Sequence, residues 1–241
     1  MDQYELIHSS KWDVLLILDA CRADFFEQLY PKYLSAERYS RALSRGCPTQ
    51  IWFARTFPGR YEDIAYLSGN PYISSLPAAK KVVGFLASER FLVVDDVFTW
   101  GWESVDGIET VPPWRVNEAV RRWRCLLEEG YRIIAHYMQP HSPYIGRVKL
   151  DIGSFKAAVK QALGEVFREP KPMVRHELLR EAYMCNLELA LQYVSELLVE
   201  LRGYKVAVTS DHGELLGENG RVGHLDDSPE LRVVPWLEVK A

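Results

Sequence analysis

Five short runs rich in valine, isoleucine and leucine punctuate the chain: DVLLILD (13–19), DIAYLS (63–68), RFLVVDDV (90–97), YRIIAHYM (131–138) and YKVAVTSD (204–211). They are bounded by polar residues and apolar almost throughout, the pattern of a strand covered on both faces. Helical patterns lie between them. NEAVRRWRCLLEEG (117–130) places Ala119, Val120, Trp123, Leu126 and Leu127 on one face and ends at Gly130. RHELLREAYMCNLELALQYVSELLVELRG (175–203) repeats apolar residues at intervals of three and four and stops at Gly203, as a helix with a glycine terminator does. Strands that alternate with helices dictate an α/β fold, a three-layer α/β/α arrangement around a mostly parallel central sheet.

Composition narrows the class of partner. A chain of 241 residues, 48% hydrophobic, can bury one large core, and a single domain over 1–241 is the simpler reading. The formal net charge is only −4, and lysine and arginine are scattered, so neither nucleic acid nor a membrane surface is expected as a partner. A small molecule is. The four cysteines stand far apart with no C-x-x-C pair, which predicts reduced thiols. At the N-terminus, acids precede an apolar segment, VLLIL, that Asp19 interrupts, so neither a signal peptide nor a membrane span is expected and the protein is predicted to be cytoplasmic.

In sheets of this kind ligands bind at the carboxyl ends of the strands. The residues ending the five runs should therefore converge. Asp19 ends the first, Ser68-Gly69-Asn70 follow the second, His136 and His141 lie at or beyond the fourth, and Asp211-His212 end the last. Asp19 can bind a cation or cap the helix that follows, helped by Arg22. Asp211 and His212 are adjacent and would face opposite ways on an extended strand; both reach one ion only where Gly213 lets the chain turn. Carboxylate with imidazole suits zinc or manganese, ahead of calcium or magnesium. His141 sits in a turn between Pro140 and Pro143, where it can bind an anionic oxygen, protonate a leaving group or ligate a metal. His136, inside the run, is either a core histidine or a residue leaning into the site. The Asn70 amide can bind a substrate oxygen, although Gly-Asn-Pro also serves as a plain turn.

Together DVLLILDACRADFF, AHYMQPHSPY and VAVTSDHGELLGENGRVGH resemble, in order and rough spacing, the motifs of the alkaline phosphatase and sulfatase superfamily. The resemblance runs from about residue 13 to 236. It implies an alkaline phosphatase-like fold in which Asp19, Asp211 and His212 ligate a metal. His141 then binds substrate oxygen or protonates the leaving group, and His224 serves a second metal or an anion. It also places a lid insertion around 147–177 and a last strand near VPWLEV. Asp95 or Asp96 is the candidate acid for a second ion, Trp100, Trp102 and Trp114 are expected to cover the core, and Glu214 and Glu218 to structure their loop. Arg22, Asn70 and His136 complete the substrate-binding set.

The family nucleophile stands at a helix start between the first and middle motifs, here within SRGCPTQIWFARTFPG. Sulfatases carry C-x-P-S-R, whose cysteine becomes formylglycine. Cys47 aligns with it, but Thr49 replaces the proline and Ile51 the arginine, so that maturation signal is broken. Two nucleophiles stay open: the Cys47 thiolate and the Thr49 hydroxyl, threonine being the nucleophile of the phosphodiesterase and phosphoethanolamine transferase branches. The resemblance thus implies a divalent-metal-dependent hydrolase of small phosphate mono- or diesters. The alternatives are a sulfate ester hydrolase and a degenerate member that binds a ligand or partner without turnover.

Overall fold

A computed structural model describes residues 1–152, 160, 174–224 and 226–239. In chain order it has α1 (Gln3–Ser9), β1 (Val14–Leu18), α2 (Ala23–Leu29), β2 (Ala36–Leu43), α3 (Thr49–Thr56), β3 (Tyr61–Ser68), α4 (Pro77–Val83) and β4 (Phe91–Asp95). A short helix α5 (Val97–Trp100) and a hairpin, β5 (Glu103–Val105) with β6 (Ile108–Thr110), precede α6 (Pro113–Trp123), α7 (Cys125–Glu128) and β7 (Arg132–Tyr137). The long helix α8 (His176–Glu200) leads to β8 (Val206–Thr209), the small hairpin β9 (Leu215–Leu216) and β10 (Val222–Gly223), α9 (Pro229–Arg232) and β11 (Val233–Val239).

All five apolar runs are strands, and they form one sheet of seven in the order β2-β11-β8-β1-β7-β3-β4. From β8 to β4 the pairing is parallel, while β11 runs antiparallel to both neighbours. The layers follow from the alternation along β1. Val14, Leu16 and Leu18 face one core with Phe26 of α2, Val120 of α6 and Leu191 of α8. Leu15 and Ile17 face a second core with Ile7 of α1, Trp52 and Phe53 of α3, and Tyr66. Every residue of β1 is therefore buried, which is why the run shows no polar alternation. Gly130 and Gly203, the expected terminators, adopt φ of +86° and +93°. Of the three tryptophans expected as cover, Trp100 and Trp102 pack against the first core, whereas the Trp114 indole donates to Glu103 and its ring meets Tyr193.

One strand differs from the sequence expectation. β2 is an edge strand, exposed along most of its length and rich in charge, so its residues carry no buried-strand signal. β11 contains Pro235, yet pairing with β8 begins only at Trp236, beyond the residue that has no N–H to give. The lid expected around 147–177 falls mainly on 153–159 and 161–173, outside the described residues.

Candidate active site

The carboxyl ends of β1, β3, β7 and β8 bring Asp19, Asn70, His136 and Asp211-His212 together, and the first turn of α3 adds Thr49. Register accounts for it: β1 pairs with β7 on one side and β8 on the other, so the residues following all three strands arrive at one rim. The rim is tied by backbone. The Asp19 N–H donates to the Tyr137 carbonyl, the His141 N–H to the Asp19 carbonyl, and the Ala20 N–H, at φ +57°, to Asp211 Oδ1 at 3.0 Å.

Within this frame lies a compact set of donors. One ligand atom each from Asp19, Asp211 and His212 lie within 4.8 Å of one another, all fully buried side chains. Thr49 Oγ1 donates to Asp211 Oδ2 at 2.6 Å and lies 3.2 Å from His212 Nε2. Asn70 Nδ2 donates to Asp19 Oδ2 at 2.5 Å and reaches Thr49 Oγ1 at 3.4 Å. His212 Nδ1 donates to its neighbour's carbonyl, Gly213 O, at 2.8 Å, which leaves Nε2 with its lone pair turned to the cluster. Among the described residues the ionic contacts of Asp19 and Asp211 are with imidazoles. Burial pushes the Asp19 carboxyl up, but the His136 contact and the charges of His141, His136 and His212 hold it well below the usual carboxylate range.

Of the two readings open for His136, the structure gives the core histidine and not the substrate-binding one. It is completely buried behind Asp19, with Nδ1 on the Tyr66 hydroxyl at 2.8 Å. Nε2 faces Asp19 Oδ2 at 3.4 Å and Asp211 Oδ2 at 4.0 Å. A residue so enclosed stands behind the Asp19 carboxylate, out of reach of a substrate. Arg22 is also withdrawn from substrate. Its guanidinium is taken by Asp24, Glu218 and the Glu214 carbonyl, and it pins the loop after β8 to the start of α2. Glu218 structures that loop as expected, accepting from Arg22 and from the Leu216 N–H. Asp95 accepts from the indoles of Trp100 and Trp123, and Asp96 from Ser75, so both acids are occupied by protein groups.

A second cluster stands beside the first. His141, Glu214 and His224 bring one ligand atom each within 4.8 Å of one another. The His224 ring lies 4.7 Å from that of His212 and 5.1 Å from that of His141. Glu214, taken in the sequence for a loop-structuring residue, accepts from His224 Nδ1 at 3.0 Å. The hairpin explains it, since Leu215 pairs with Gly223 and the next residues outward, 214 and 224, must meet. A glycine-rich turn between two short apolar pairs was the signal available.

Gly213 is required by space. A Cβ there would lie 1.9 Å from the Glu230 carbonyl oxygen, so only glycine lets the chain pass α9 at the point where Asp211 and His212 both turn inward.

The two candidate nucleophiles differ sharply. Thr49 is buried in the first cluster, at the N-terminus of an eight-residue helix. The Cys47 thiol instead donates to the His224 carbonyl at 3.0 Å, and burial, followed by the charges of Asp211, Glu214 and Asp19, pushes it far above the ordinary thiol range.

The Glu214–His224 pair has a pH signature. Burial lowers the His224 imidazole, but the Glu214 charge and hydrogen bond, helped by Asp19 and Asp211, raise it from 6.5 to about 9. A pKa raised on folding gives stability that is complete below the unfolded value and lost as pH rises through the folded one. Melting of the metal-free protein in chelator should therefore fall between pH 6.5 and about 9. Glu214→Gln should flatten that decline; equal slopes in the two proteins would show that the pair is not coupled.

No family model and no curated protein matches the sequence. Solved structures do match. The soluble domain of lipooligosaccharide phosphoethanolamine transferase A from Neisseria meningitidis aligns with a TM-score of 0.55 at 15% identity, over 94% of this chain and 76% of that one. A phosphonate monoester hydrolase from Silicibacter pomeroyi aligns with a TM-score of 0.55 at 12% identity, over 95% of this chain and 68% of that one. The chain has the alkaline phosphatase-like fold. In this alkaline phosphatase-like chain the three motifs LILDAC, HYMQPHSPY and TSDHGE meet at a single rim of the sheet. Among the described residues no helix is long and apolar enough to cross a membrane.

Proposed function

We propose that this protein is a metal-dependent hydrolase of phosphate mono- or diesters and that Thr49 is its nucleophile. The observation that carries the reading is the position of Thr49 Oγ1, 2.6 Å from Asp211 Oδ2 and 3.2 Å from His212 Nε2 at a helix start. Asp19, Thr49, Asp211 and His212 would hold one divalent ion. Their two carboxylates, imidazole and alcohol suit zinc or manganese. Two fully buried carboxylates whose ionic contacts among the described residues are with imidazoles fit a cation at this point.

A bound ion would supply Lewis acidity, stabilising the threonine alkoxide and the charge developing on the transferred group. The rest is derived from the chain. Thr49 loses its hydroxyl proton toward Asp211 Oδ2, to which it already donates, and its Oγ1 forms a bond to phosphorus as the bond to the leaving oxygen breaks. The leaving oxygen takes a proton from His141 or His224, the two less buried imidazoles, with side-chain exposures of 13% and 23%. Their cationic forms also bind the non-bridging oxygens, as do the N–H groups at the start of α3. Water then attacks the phosphorylated Thr49, releasing phosphate from a monoester or a phosphate monoester from a diester, and a proton of that water restores the Thr49 hydroxyl. The Asn70 amide, fixed between Asp19 and Thr49, orients the nucleophile or binds one substrate oxygen.

The fold match supports this reading, since both aligned structures are, by name, enzymes that act on phosphoryl or phosphonyl esters. The test is direct. Purified protein should release p-nitrophenol from p-nitrophenyl phosphate or its bis-ester with manganese or zinc, lose that activity to a chelator, and act more slowly on p-nitrophenyl sulfate. Faster sulfate turnover would make it a sulfate ester hydrolase. No turnover and no bound metal would make it a ligand-binding member of the fold.

A further inference from the structure

We propose that Gln3, on the first turn of α1, is a positioning residue for the nucleophile, a role that rests on the reading of Thr49 given above. Gln3 is fully buried. Its Nε2 donates to the Ser210 carbonyl at 2.5 Å and to Thr209 Oγ1 at 2.9 Å, both at the end of β8 and immediately before Asp211. Its Oε1 accepts from Trp52 Nε1 at 2.8 Å, one turn beyond Thr49 on α3. One amide therefore ties the strand that carries Asp211 and His212 to the helix that carries Thr49.

The rest of α1 reinforces the same link. Asp2, its N-cap, pairs with Arg45 ahead of α3 at 2.7 Å. His8, in its last turn, lies 2.8 Å from the Thr56 carbonyl at the end of α3. Thus α1 contacts the nucleophile helix or its approach at both ends and in the middle, and the Gln3 amide hydrogen-bonds across to the end of β8. The spacing between Thr49 Oγ1 and Asp211 Oδ2 is set by where α3 sits along β8, and Gln3 fixes that offset. Asn or His at this position would be too short or too rigid to meet all three partners, and an apolar residue would leave Trp52 Nε1 and the Ser210 carbonyl without this partner.

The test compares wild type, Gln3→Leu and Gln3→Glu at a temperature where melting curves show all of them folded. Because misplacement of reacting groups by about 1 Å can cost about a hundredfold in rate, Gln3→Leu should lower kcat with bis-p-nitrophenyl phosphate by about ten- to a hundredfold. KM should change little, since the substrate-binding histidines do not touch Gln3. The Kd for zinc, titrated into chelator-stripped protein, should rise about tenfold, as for loss of an outer-shell ligand support. Gln3→Glu keeps the acceptor for Trp52 but offers a donor to Ser210 only when protonated. Its kcat relative to wild type should therefore climb as pH falls, a profile the leucine variant lacks. Unchanged kcat and zinc Kd in Gln3→Leu, with only a lower melting point, would overturn the proposal and leave Gln3 a purely structural residue. If wild type itself turns nothing over, the hydrolase reading falls, and the zinc Kd of the two variants still decides the role of Gln3.

Discussion

Thr49→Ala removes turnover by about a thousandfold or more, the scale on which loss of a covalent nucleophile acts in other hydrolases, while Cys47→Ser stays close to wild type. The difference rests on what each group touches. Thr49 Oγ1 has a carboxylate and an imidazole nitrogen within 3.2 Å, so its proton has somewhere to go and a cation held by those same groups would lie against the oxygen. The Cys47 sulfur faces a backbone carbonyl, and the nearby carboxylates oppose its ionisation. Serine in place of Cys47 can make the same contact to the His224 carbonyl. Both variants are assayed as kcat and KM with the preferred p-nitrophenyl ester. A dead Cys47→Ser beside an active Thr49→Ala would invert the assignment.

Asp211→Asn is the second large effect. Asp211 Oδ1 accepts the N–H groups of Ala20 and His212, and Oδ2 accepts the Thr49 hydroxyl. An asparagine retains one oxygen for the backbone donors and turns an NH₂ toward Thr49 and His212, where a cation would have stood. Metal affinity should fall by more than the about 10–100-fold seen for loss of an outer-shell partner, and activity with it. Melting gives an independent readout. Metal at about a thousand times its Kd adds about 4 kcal/mol to a folded protein, which for a domain of this size raises Tm on the order of 10 °C. Wild type should show that rise with zinc or manganese and lose it to chelator; Asp211→Asn should show neither. An equal rise in the variant would place the metal elsewhere.

Much of this site is legible in the sequence because two rules coincide. Runs buried on both faces are apolar throughout, so β1, β3, β7 and β8 declare themselves, β4 being apolar although it is an edge strand with Leu92 exposed, and a parallel sheet gathers the residues at their ends. Asp19, Asp211 and His212 follow from that alone. Thr49 and Cys47 cannot be separated from spacing, since they differ by two positions at a helix start. Only the side-chain directions divide them. Glu214 escapes because a glutamate among glycines reads as a loop residue until the register of β9 on β10 sets it beside His224. Arg22 and His136 have the right residue types at the right rim, but ion pairing takes the first and burial behind Asp19 the second. β2 carries no signal, being a polar edge, and Gln3 carries none either, because its role lies in contacts to residues 49 and about 206 positions away.

The central claim, that Thr49 attacks phosphorus, can be read as a mass. The metal-loaded protein, turning over bis-p-nitrophenyl phosphate and quenched in acid, should carry a p-nitrophenylphosphoryl adduct, one p-nitrophenolate having left, that peptide mapping assigns to Thr49 and that is missing from Thr49→Ala. An adduct on Cys47, or full turnover by Thr49→Ala, would contradict it.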